Sequence, residues 1–476
     1  MSFIGKAVSW LRDVLGLTRS IQDQFGVTVA ISPTMAAAQA EWRGIVAGKA
    51  IWNNDDTPSL LLADAVSQEI ASRAALGLKS EITGSARADY LNEQYVPVID
   101  DLQNAVVAIS NGGEAIYKPN LTDDGIETTL VENDAYWPIG YNAKNELIDI
   151  IFGAIYQTDK WVYRLLERHT FDSEAQTHAI IYRAFRAESS SNAFTPDSLG
   201  TPASLSDVPD WAALQDITIT GIEKPLFVLV KAPISAIIEK PQRQGVPVWI
   251  KAVDMFRKAD LHEARMEWEM EGGELAVFAS AATLRNSNNE KGKPLYELPE
   301  GKNRLYKMLN GAPEERPIEV FNPEPRIDAY NKRMNDILRR IEFSCGLSYG
   351  IISDNEAQIQ TATEFRSSKE RLVTTISGMQ LDVLQPALER LIESFGVLAD
   401  LQGIPAGTVN TTFEWSESYA IDRREEVEER LKLLGMGVLS ASEVRAYYNE
   451  IPLEQAQKEM QERGVPLEAV EDEFNE

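Results

Sequence analysis

Apolar residues recur every three or four positions over the first 110 residues, which is the spacing of helices that bury one face. The pattern predicts three helices here, over residues 34–50, 58–78 and 86–110. Thr57 and Pro58 pair a capping residue with a proline, so the second helix is expected to begin there. The run Asn111-Gly112-Gly113 is typical of a helix end and predicts that the third helix stops there.

From residue 114 the pattern changes to short runs rich in Ile, Val, Thr and aromatic residues, separated by turn-forming residues. Such runs are typical of strands in an antiparallel meander. Six strands are predicted, over residues 114–119, 126–133, 135–141, 146–157, 160–171 and 177–187. After a polar, Ser- and Pro-rich loop at 188–210, the runs at 216–221 and 225–233 predict two strands that rejoin the sheet.

Helical spacing returns at Gly245 and predicts a helix that ends at the glycines following residue 271. The next segment, 274–322, has short apolar runs, and its last predicted strand is at 316–323. This segment holds seven Lys or Arg and seven Asp or Glu residues, so it is neutral. A further helix is predicted at 325–343.

The longest apolar stripe runs over residues 361–398 and predicts one long helix. Thr361 and Glu364 match a capping box that marks its start. Pro386 lies inside this helix, where it removes a backbone donor, so a kink is expected near 382–386. Alternating residues at 409–418 predict a strand, and helices are expected in most of the remaining chain.

The charge of the chain limits its partners. The net charge is −27 and the isoelectric point about 4.6, so the surface should repel nucleic acid and anionic membranes. The first 17 residues are amphipathic, and no stretch reaches the roughly 18 clean apolar residues of a membrane helix. Cys345 is the single cysteine, which excludes an internal disulfide and fits a reducing compartment.

Motifs of catalytic and cofactor sites are absent from the sequence. It has no phosphate-binding loop of the nucleotide hydrolases, no dinucleotide-binding glycine motif and no nucleophile elbow. His169 and His178 lie on neighbouring predicted strands and could approach each other, but no third metal ligand accompanies them, so we interpret them as ordinary sheet residues. Cys345 is interpreted as a buried structural thiol. We therefore expect no enzyme activity, no cofactor and no metal.

Four stretches in the second half resemble, in order, parts of one family: 245–280, with a Gly-x-Pro before "KAVDMFRKAD", 320–350, 361–376, with Thr-Ala-Thr-Glu at a helix start, and 413–448. Together they resemble the portal proteins of tailed double-stranded DNA bacteriophages, of the type common in siphophages of Gram-positive hosts. The resemblance covers roughly residues 245–450. The first 240 residues match only in their plan of helices followed by a sheet.

The resemblance implies an α+β portal fold with a helical stem, a β-rich wing, a small α/β clip, a kinked long wing helix and a helical crown. The implied domains are the N-terminal region and wing (1–244), first stem helix (245–273), clip (274–323), second stem helix (324–345), tunnel loop (346–360), kinked wing helix and strand (361–418) and crown (419–476). The family implies a ring of twelve copies at one capsid vertex, assembled in the host cytoplasm, through which DNA is packaged and ejected.

The same resemblance implies two sets of site residues. The tunnel loop would border the DNA channel with Ser353, Asp354, Asn355, Glu356 and Gln358. The clip would form a docking surface with Lys291, Lys293, Lys302 and Arg304. The loop has two acidic residues and no Lys or Arg, which suits DNA that slides rather than DNA that is held.

The implied partners are the terminase large subunit, major capsid and scaffolding proteins, a head–tail adaptor, and double-stranded DNA that passes without sequence recognition. Two alternatives stay open at this point. The chain could be another connector or minor capsid protein of a phage particle, or a soluble enzyme with an unrecognised site.

Overall fold

A computed structural model describes most of the chain. The described residues are 18–122, 124–188, 199–235, 238–240, 242–272, 276–280, 286–288, 294–296, 306–309, 318–321, 324–354, 362–415, 434, 439–449 and 455–458. It is a mixed α+β structure with long helices and mainly antiparallel sheets. In the described parts of the chain, no helix combines the length and the apolar character needed to cross a membrane.

The N-terminal region is helical. Its helices are α1 (residues 18–25), α2 (Pro33–Val46), α3 (Leu62–Ala75), α4 (Ala86–Asp100) and α5 (Leu102–Gly112). The strand β1 (Lys79–Thr83) lies between α3 and α4. Gly113 ends α5 in the left-handed conformation, at φ 84°, which confirms the predicted stop.

Two details of the helix prediction are wrong. The residues predicted as a single helix over 86–110 form α4 and α5, which meet at Asp101 beyond the internal Pro97. The second helix begins at Leu62 rather than at Thr57 and Pro58. Thr57 instead closes a small bridge with Asn54, and this local pairing uses the backbone groups that the predicted helix start required.

The predicted strands are confirmed, but they divide between two sheets. The chain continues through β2 (Glu114–Thr122), β3 (Gly125–Glu132), β4 (Tyr136–Tyr141), β5 (Leu147–Gln157), β6 (Trp161–Asp172), β7 (Thr177–Glu188), β8 (Thr201–Ala203), β9 (Ile217–Thr220) and β10 (Val228–Lys231). One sheet has the order β10-β2-β3, and the other has the order β4-β5-β6-β7-β8 with β9 also paired to β7. The expectation of one continuous meander is therefore wrong.

Two long helices follow the sheets, α6 (Val253–Gly272) and α7 (Ile327–Cys345), and they pack against each other. Between them lie the short strands β11 (Ala276–Ser280), β12 (Asn286–Asn288), β13 (Pro294–Tyr296), β14 (Tyr306–Leu309) and β15 (Ile318–Phe321). β11 pairs in parallel with β14 and antiparallel with β15, while β12 pairs with β13.

The long helix predicted from residue 361 comprises α8 (Ala362–Ser377), a π-helical turn (Gly378–Leu384) and α9 (Gln385–Leu401). The sequence predicts a kink near residues 382–386, and the π turn at Gly378–Leu384 overlaps this region. Pro386 has no N–H for the carbonyl of Asp382, and the N–H of Gln385 bonds to Gln380 five residues back. Thr361 lies outside the described residues, so the capping box stays a prediction.

One hydrophobic core joins these elements. It includes Ile70 of α3, Trp249 just before α6, Phe256 in the first turn of α6, Ile341 of α7 and Phe395 of α9, all nearly or fully buried. The strand β16 (Asn410–Glu414) then pairs with β1, which ties the end of the long helix back to the N-terminal region. Near the C-terminus, α10 (Ala441–Asn449) and residues 455–458 are helical.

Candidate functional site

The structure describes two of the nine residues predicted to carry function. Ser353 and Asp354 lie at the end of the segment that follows α7. Seven predicted residues lie outside the described parts of the chain: Asn355, Glu356, Gln358, Lys291, Lys293, Lys302 and Arg304. The roles assigned to all nine remain predictions.

Glu342 organises the first part of the predicted tunnel loop. This glutamate is fully buried in the last turns of α7. Its Oε1 accepts hydrogen bonds from the backbone N–H groups of Gly350, Ile352 and Ser353, at 3.1, 2.8 and 2.9 Å. Its Oε2 accepts a fourth, from the Ser353 hydroxyl, at 2.7 Å. One carboxylate therefore folds the first residues after α7 back against the helix that precedes them.

The same contacts determine how far the side chains of Ser353 and Asp354 are exposed to solvent. Ser353 is only 8% exposed, because its backbone and hydroxyl both bind Glu342. Asp354 is exposed, and its N–H donates to Oδ1 of Asn335 at 2.7 Å. Of the two predicted channel residues that the structure describes, Asp354 is therefore the one with an accessible side chain.

Arginines and aromatic rings tie this segment to the neighbouring helices. The Arg371 guanidinium of α8 lies 4.5 Å from the ring centre of Phe343 and 5.3 Å from that of Tyr349. Arg371 also donates to the carbonyl of Leu347 at 3.3 Å. The Arg339 guanidinium lies 4.6 Å from the Tyr349 ring centre. Stacking of this kind favours a fixed geometry, so α7, α8 and the loop start form one unit.

A buried aspartate joins α6 to the N-terminal region. Asp260 accepts hydrogen bonds from the indole N–H of Trp52 at 2.8 Å and from the amide of Asn53 at 2.9 Å. The backbone N–H of Leu60 donates to its other oxygen at 2.9 Å. Three donors thus satisfy a carboxylate that is 3% exposed, and they fix the base of α6.

The far ends of α6 and α7 are joined by an exposed ion pair. Arg326 donates two hydrogen bonds to the Glu269 carboxylate, at 2.9 and 2.8 Å. These bonds to Arg326 lower the pKa of Glu269. Closer to the middle of the hairpin, His262 Nε2 lies 2.9 Å from the carbonyl of Tyr330. The two helices are thus held together by polar contacts as well as by packing.

His169 and His178 do approach each other, on β6 and β7. Nδ1 of His169 lies 2.9 Å from Nε2 of His178, and Nε2 of His169 lies 2.7 Å from Oε1 of Glu167. Lys118 of β2 pairs with Glu167, so this buried cluster bridges the two sheets. The described residues contain no group of three or more His, Cys, Asp or Glu that could hold a metal ion.

Burial and neighbouring groups shift the pKa values of His178 and Glu167 in this cluster. Desolvation lowers the pKa of His178 to about 3, with a further contribution from the neighbouring His169. Burial alone would raise the pKa of Glu167, but the hydrogen bonds and charges of His169 and Lys118 lower it to about 2. Cys345 is buried as predicted, and burial raises the pKa of its thiol.

Sequence reasoning missed Glu342 and Asp260. Both are acidic residues on otherwise apolar helix faces, and Glu342 lies beside the buried Ile341. An acidic residue at a core position is a signal that could have found them, because a buried carboxylate requires several donors. Nothing in the sequence identifies those donors, since the donors to Asp260 lie about 200 positions away.

Comparisons with known proteins identify no family for this chain. No protein-family model matches the chain, and no curated protein matches it. Among solved structures, one similar chain is described as "Neck of native GTA particle computed with C12 symmetry". The two chains share 12% sequence identity, and the alignment covers 82% of this chain and 89% of that one, with a TM-score of 0.34. So low a TM-score does not establish a common fold.

Proposed function

We propose that this chain is a portal subunit, which forms a ring at one capsid vertex of a phage-like particle and lets DNA pass during packaging and ejection. The observation that carries the proposal is the order of elements along the second half of the chain. Two packed helices enclose a segment whose described residues are short strands, a folded-back loop follows, and a long helix with a π turn comes next. This is the order that the sequence resemblance implies for stem, clip, tunnel loop and wing helix.

The packing of the described residues supports a stem that is anchored to the rest of the subunit at one end and held together by an ion pair at the other. Asp260 and the shared core hold the wing-side ends of α6 and α7. The Arg326–Glu269 pair holds their opposite ends. A hairpin held in this way would transmit force between a clip that meets the motor and a wing inside the capsid. In this proposal the clip residues Lys291, Lys293, Lys302 and Arg304 dock the terminase and later the tail adaptor.

The charge of the chain supports a conduit rather than a DNA-holding protein. Every fixed contact between Lys or Arg and phosphate releases counterions and adds affinity, so a basic channel would retard the duplex. Asp354 is exposed, so the loop would present a negative charge at this residue. Glu356 would add a second. The duplex would then slide without being held.

Mass photometry of the purified full-length chain tests the proposal. A ring of twelve copies of the 53.0 kDa chain has a mass of about 636 kDa. A dominant species near that mass, or near another fixed multiple of similar size, is expected. A monomer at every concentration and ionic strength would contradict the proposal, and open-ended assemblies of variable mass would favour another phage structural protein.

A further inference from the structure

Two grooves flank α7, and their charges are opposite. The first, here named the basic groove, is lined by Lys251, Met255, Arg339, Arg340, Phe343, Ser344 and Tyr349. The second, here named the acidic groove, is lined by Asp328, Asn331, Lys332, Met334, Asn335, Leu338 and Asp354. The basic groove carries three cationic residues and no acidic one, whereas the acidic groove carries two carboxylates and one lysine.

The grooves lie on different sides of the helix, and Arg339, four residues after Asn335, lies at the boundary between them. Asn331 and Arg340 are nine residues apart, as are Asn335 and Ser344, and nine residues turn an α-helix by about 180° beyond two full turns. The same spacing separates Met334 of the acidic groove from Phe343 of the basic groove. A copy of the chain on one side of α7 would therefore meet different chemistry from a copy on the other side.

The composition of the basic groove favours a protein partner. The Phe343 side chain is 60% exposed, although Arg371 stacks on its ring. Arginine, tyrosine, phenylalanine and methionine are enriched at the centres of protein interfaces, and exposed arginine beside an exposed aromatic ring is typical of residues that dominate binding energy. Asp336 lies one turn before Arg340 and reduces, but does not cancel, the local positive charge.

The acidic groove provides a complementary surface. Met334 and Leu338 give it an apolar floor, and the carboxylates of Asp328 and Asp354 stand at its rim, with Lys332 as its single cation. Asp328 is exposed at the start of α7, where a negative charge is also stabilised by the helix dipole. The two grooves match each other in charge and in having an apolar centre.

We propose that the basic groove of one copy binds the acidic groove of the next, so that α7 carries both halves of the contact that closes the ring. This inference rests on the proposed function. Contacts between two different patches on opposite sides of a subunit generate a ring when the rotation closes. Copies that each carry a net charge of −27 repel one another, so a basic groove opposite an acidic one offsets that repulsion where the copies touch.

The proposal fixes one geometric property of the ring. Patches that touch in a ring must lie at the same height along its axis, yet the two grooves are offset along α7 by nine residues, or about 13.5 Å. With a helix diameter of about 11 Å, α7 must be inclined to the ring axis by about 50°. If the helices were parallel to the axis, the basic groove of one copy and the acidic groove of the next would lie at different heights, and neither would be paired.

Charge reversal with rescue tests the contact. Arg340→Glu and Asp328→Lys change exposed residues at the two grooves, so folding should be retained, as circular dichroism and thermal unfolding would verify. Each single variant should need on the order of tenfold more protein than wild type to populate rings at low salt, because like charges then face each other. The double variant restores opposite charges and should recover rings. The matched control is Lys160→Glu, which reverses the charge of an exposed residue in the turn between β5 and β6, and it should behave as wild type.

Crosslinking provides a second readout that does not depend on stability. In the variant carrying both Asp328→Cys and Arg340→Cys, the two thiols lie twelve residues apart, or about 18 Å, on one helix. A bismaleimide shorter than that distance cannot join them within a chain. It should join neighbouring copies into a ladder of multimers on a denaturing gel, whereas each single-cysteine variant should give no ladder. The native Cys345 is buried and should not react. The wild-type chain, which has only this thiol, is the control for crosslinking through it.

The outcomes separate this proposal from the portal proposal. Wild-type rings that persist in both single reversals, with no ladder in the double-cysteine variant, overturn the groove contact and leave the portal proposal standing. A wild-type chain that forms no ring under any condition contradicts both. If Arg340→Glu leaves rings intact but weakens fluorescence-anisotropy binding of a double-stranded DNA fragment, the basic groove serves nucleic acid and the proposed contact is wrong.

Discussion

Replacing Glu342 by glutamine should loosen the start of the tunnel loop while leaving the shape of the side chain unchanged. In the wild-type chain the carboxylate accepts three backbone N–H groups on one oxygen and the Ser353 hydroxyl on the other. A glutamine can keep its oxygen opposite the three N–H groups. Its amide nitrogen then replaces the second oxygen, and the Ser353 hydroxyl has to reorient and accept a hydrogen bond instead of donating one.

The size of the effect follows from the hydrogen bonds that change. Bonds to a charged acceptor are worth about 1.5–3 kcal/mol and neutral ones about 1 kcal/mol, so Glu342→Gln should weaken the closed segment by about 1–2 kcal/mol. That corresponds to a factor of about 5–30 in the ratio of open to closed states. Glu342→Ala removes the acceptor of the Ile352 and Ser353 N–H groups and one of the two acceptors of the Gly350 N–H, and it should weaken the segment by about 3 kcal/mol or more.

Hydrogen exchange measured by mass spectrometry tests this reasoning. Amides of residues 350–353 should exchange about 5–30 times faster in Glu342→Gln and faster still in Glu342→Ala, while peptides from α9 stay unchanged. Glu370→Gln alters an exposed glutamate of α8 and serves as the matched control. If both Glu342 variants exchange at the wild-type rate in this segment, the carboxylate does not hold the loop and the reasoning fails.

Three further predictions concern buried and exposed charges. His178 and Glu167 have pKa values lowered to about 3 and about 2 in the folded chain, so the unfolded chain binds protons first and stability should fall as the pH drops from 6.5. Protonation of His178 in the unfolded chain should lower the free energy of unfolding by about 2 kcal/mol at about pH 5. His178→Phe should therefore make the melting temperature depend less on pH below 6.5. An unchanged pH dependence would exclude this residue as its origin. Asp260→Ala should lower the free energy of unfolding by about 3 kcal/mol in a denaturant titration, since three donors lose their acceptor, whereas a loss under 1 kcal/mol would mean that water replaces it. Replacing Asp354 and Glu356 together by lysine should slow DNA packaging in a motor-driven assay, measured on rings shown by mass photometry to be intact because Asp354 also borders the acidic groove; unchanged rates would remove loop charge from the mechanism.

Much of the architecture could be predicted from local pattern. The six strands over residues 114–187 and the helices around 253–272 and 327–345 follow directly from apolar spacing. Pro386 predicted a kink near residues 382–386, and the structure has a π turn that overlaps this region. These features depend on neighbours within a few residues, which is the range over which periodicity and backbone chemistry are readable.

Features that depend on distant partners could not be predicted. The division of the strands into two sheets is set by the pairing of β10 with β2, more than 100 residues earlier in the chain. Glu342 and Asp260 are recognisable as anchors only once their donors are known. The opposite charges of the two grooves also arise from segments that meet in space, because Lys251 and Tyr349 join Arg340 on one side while Asp354 joins Asp328 on the other.

Electron microscopy of the purified full-length chain tests the central claim most directly. The portal proposal predicts particles of one size that appear as closed rings in end view, with a central channel wide enough for a DNA duplex. In a three-dimensional reconstruction α7 should lie at the subunit boundary, inclined to the ring axis. Monomers only, or rings closed at the centre, would contradict the proposal that this chain forms a conduit for DNA.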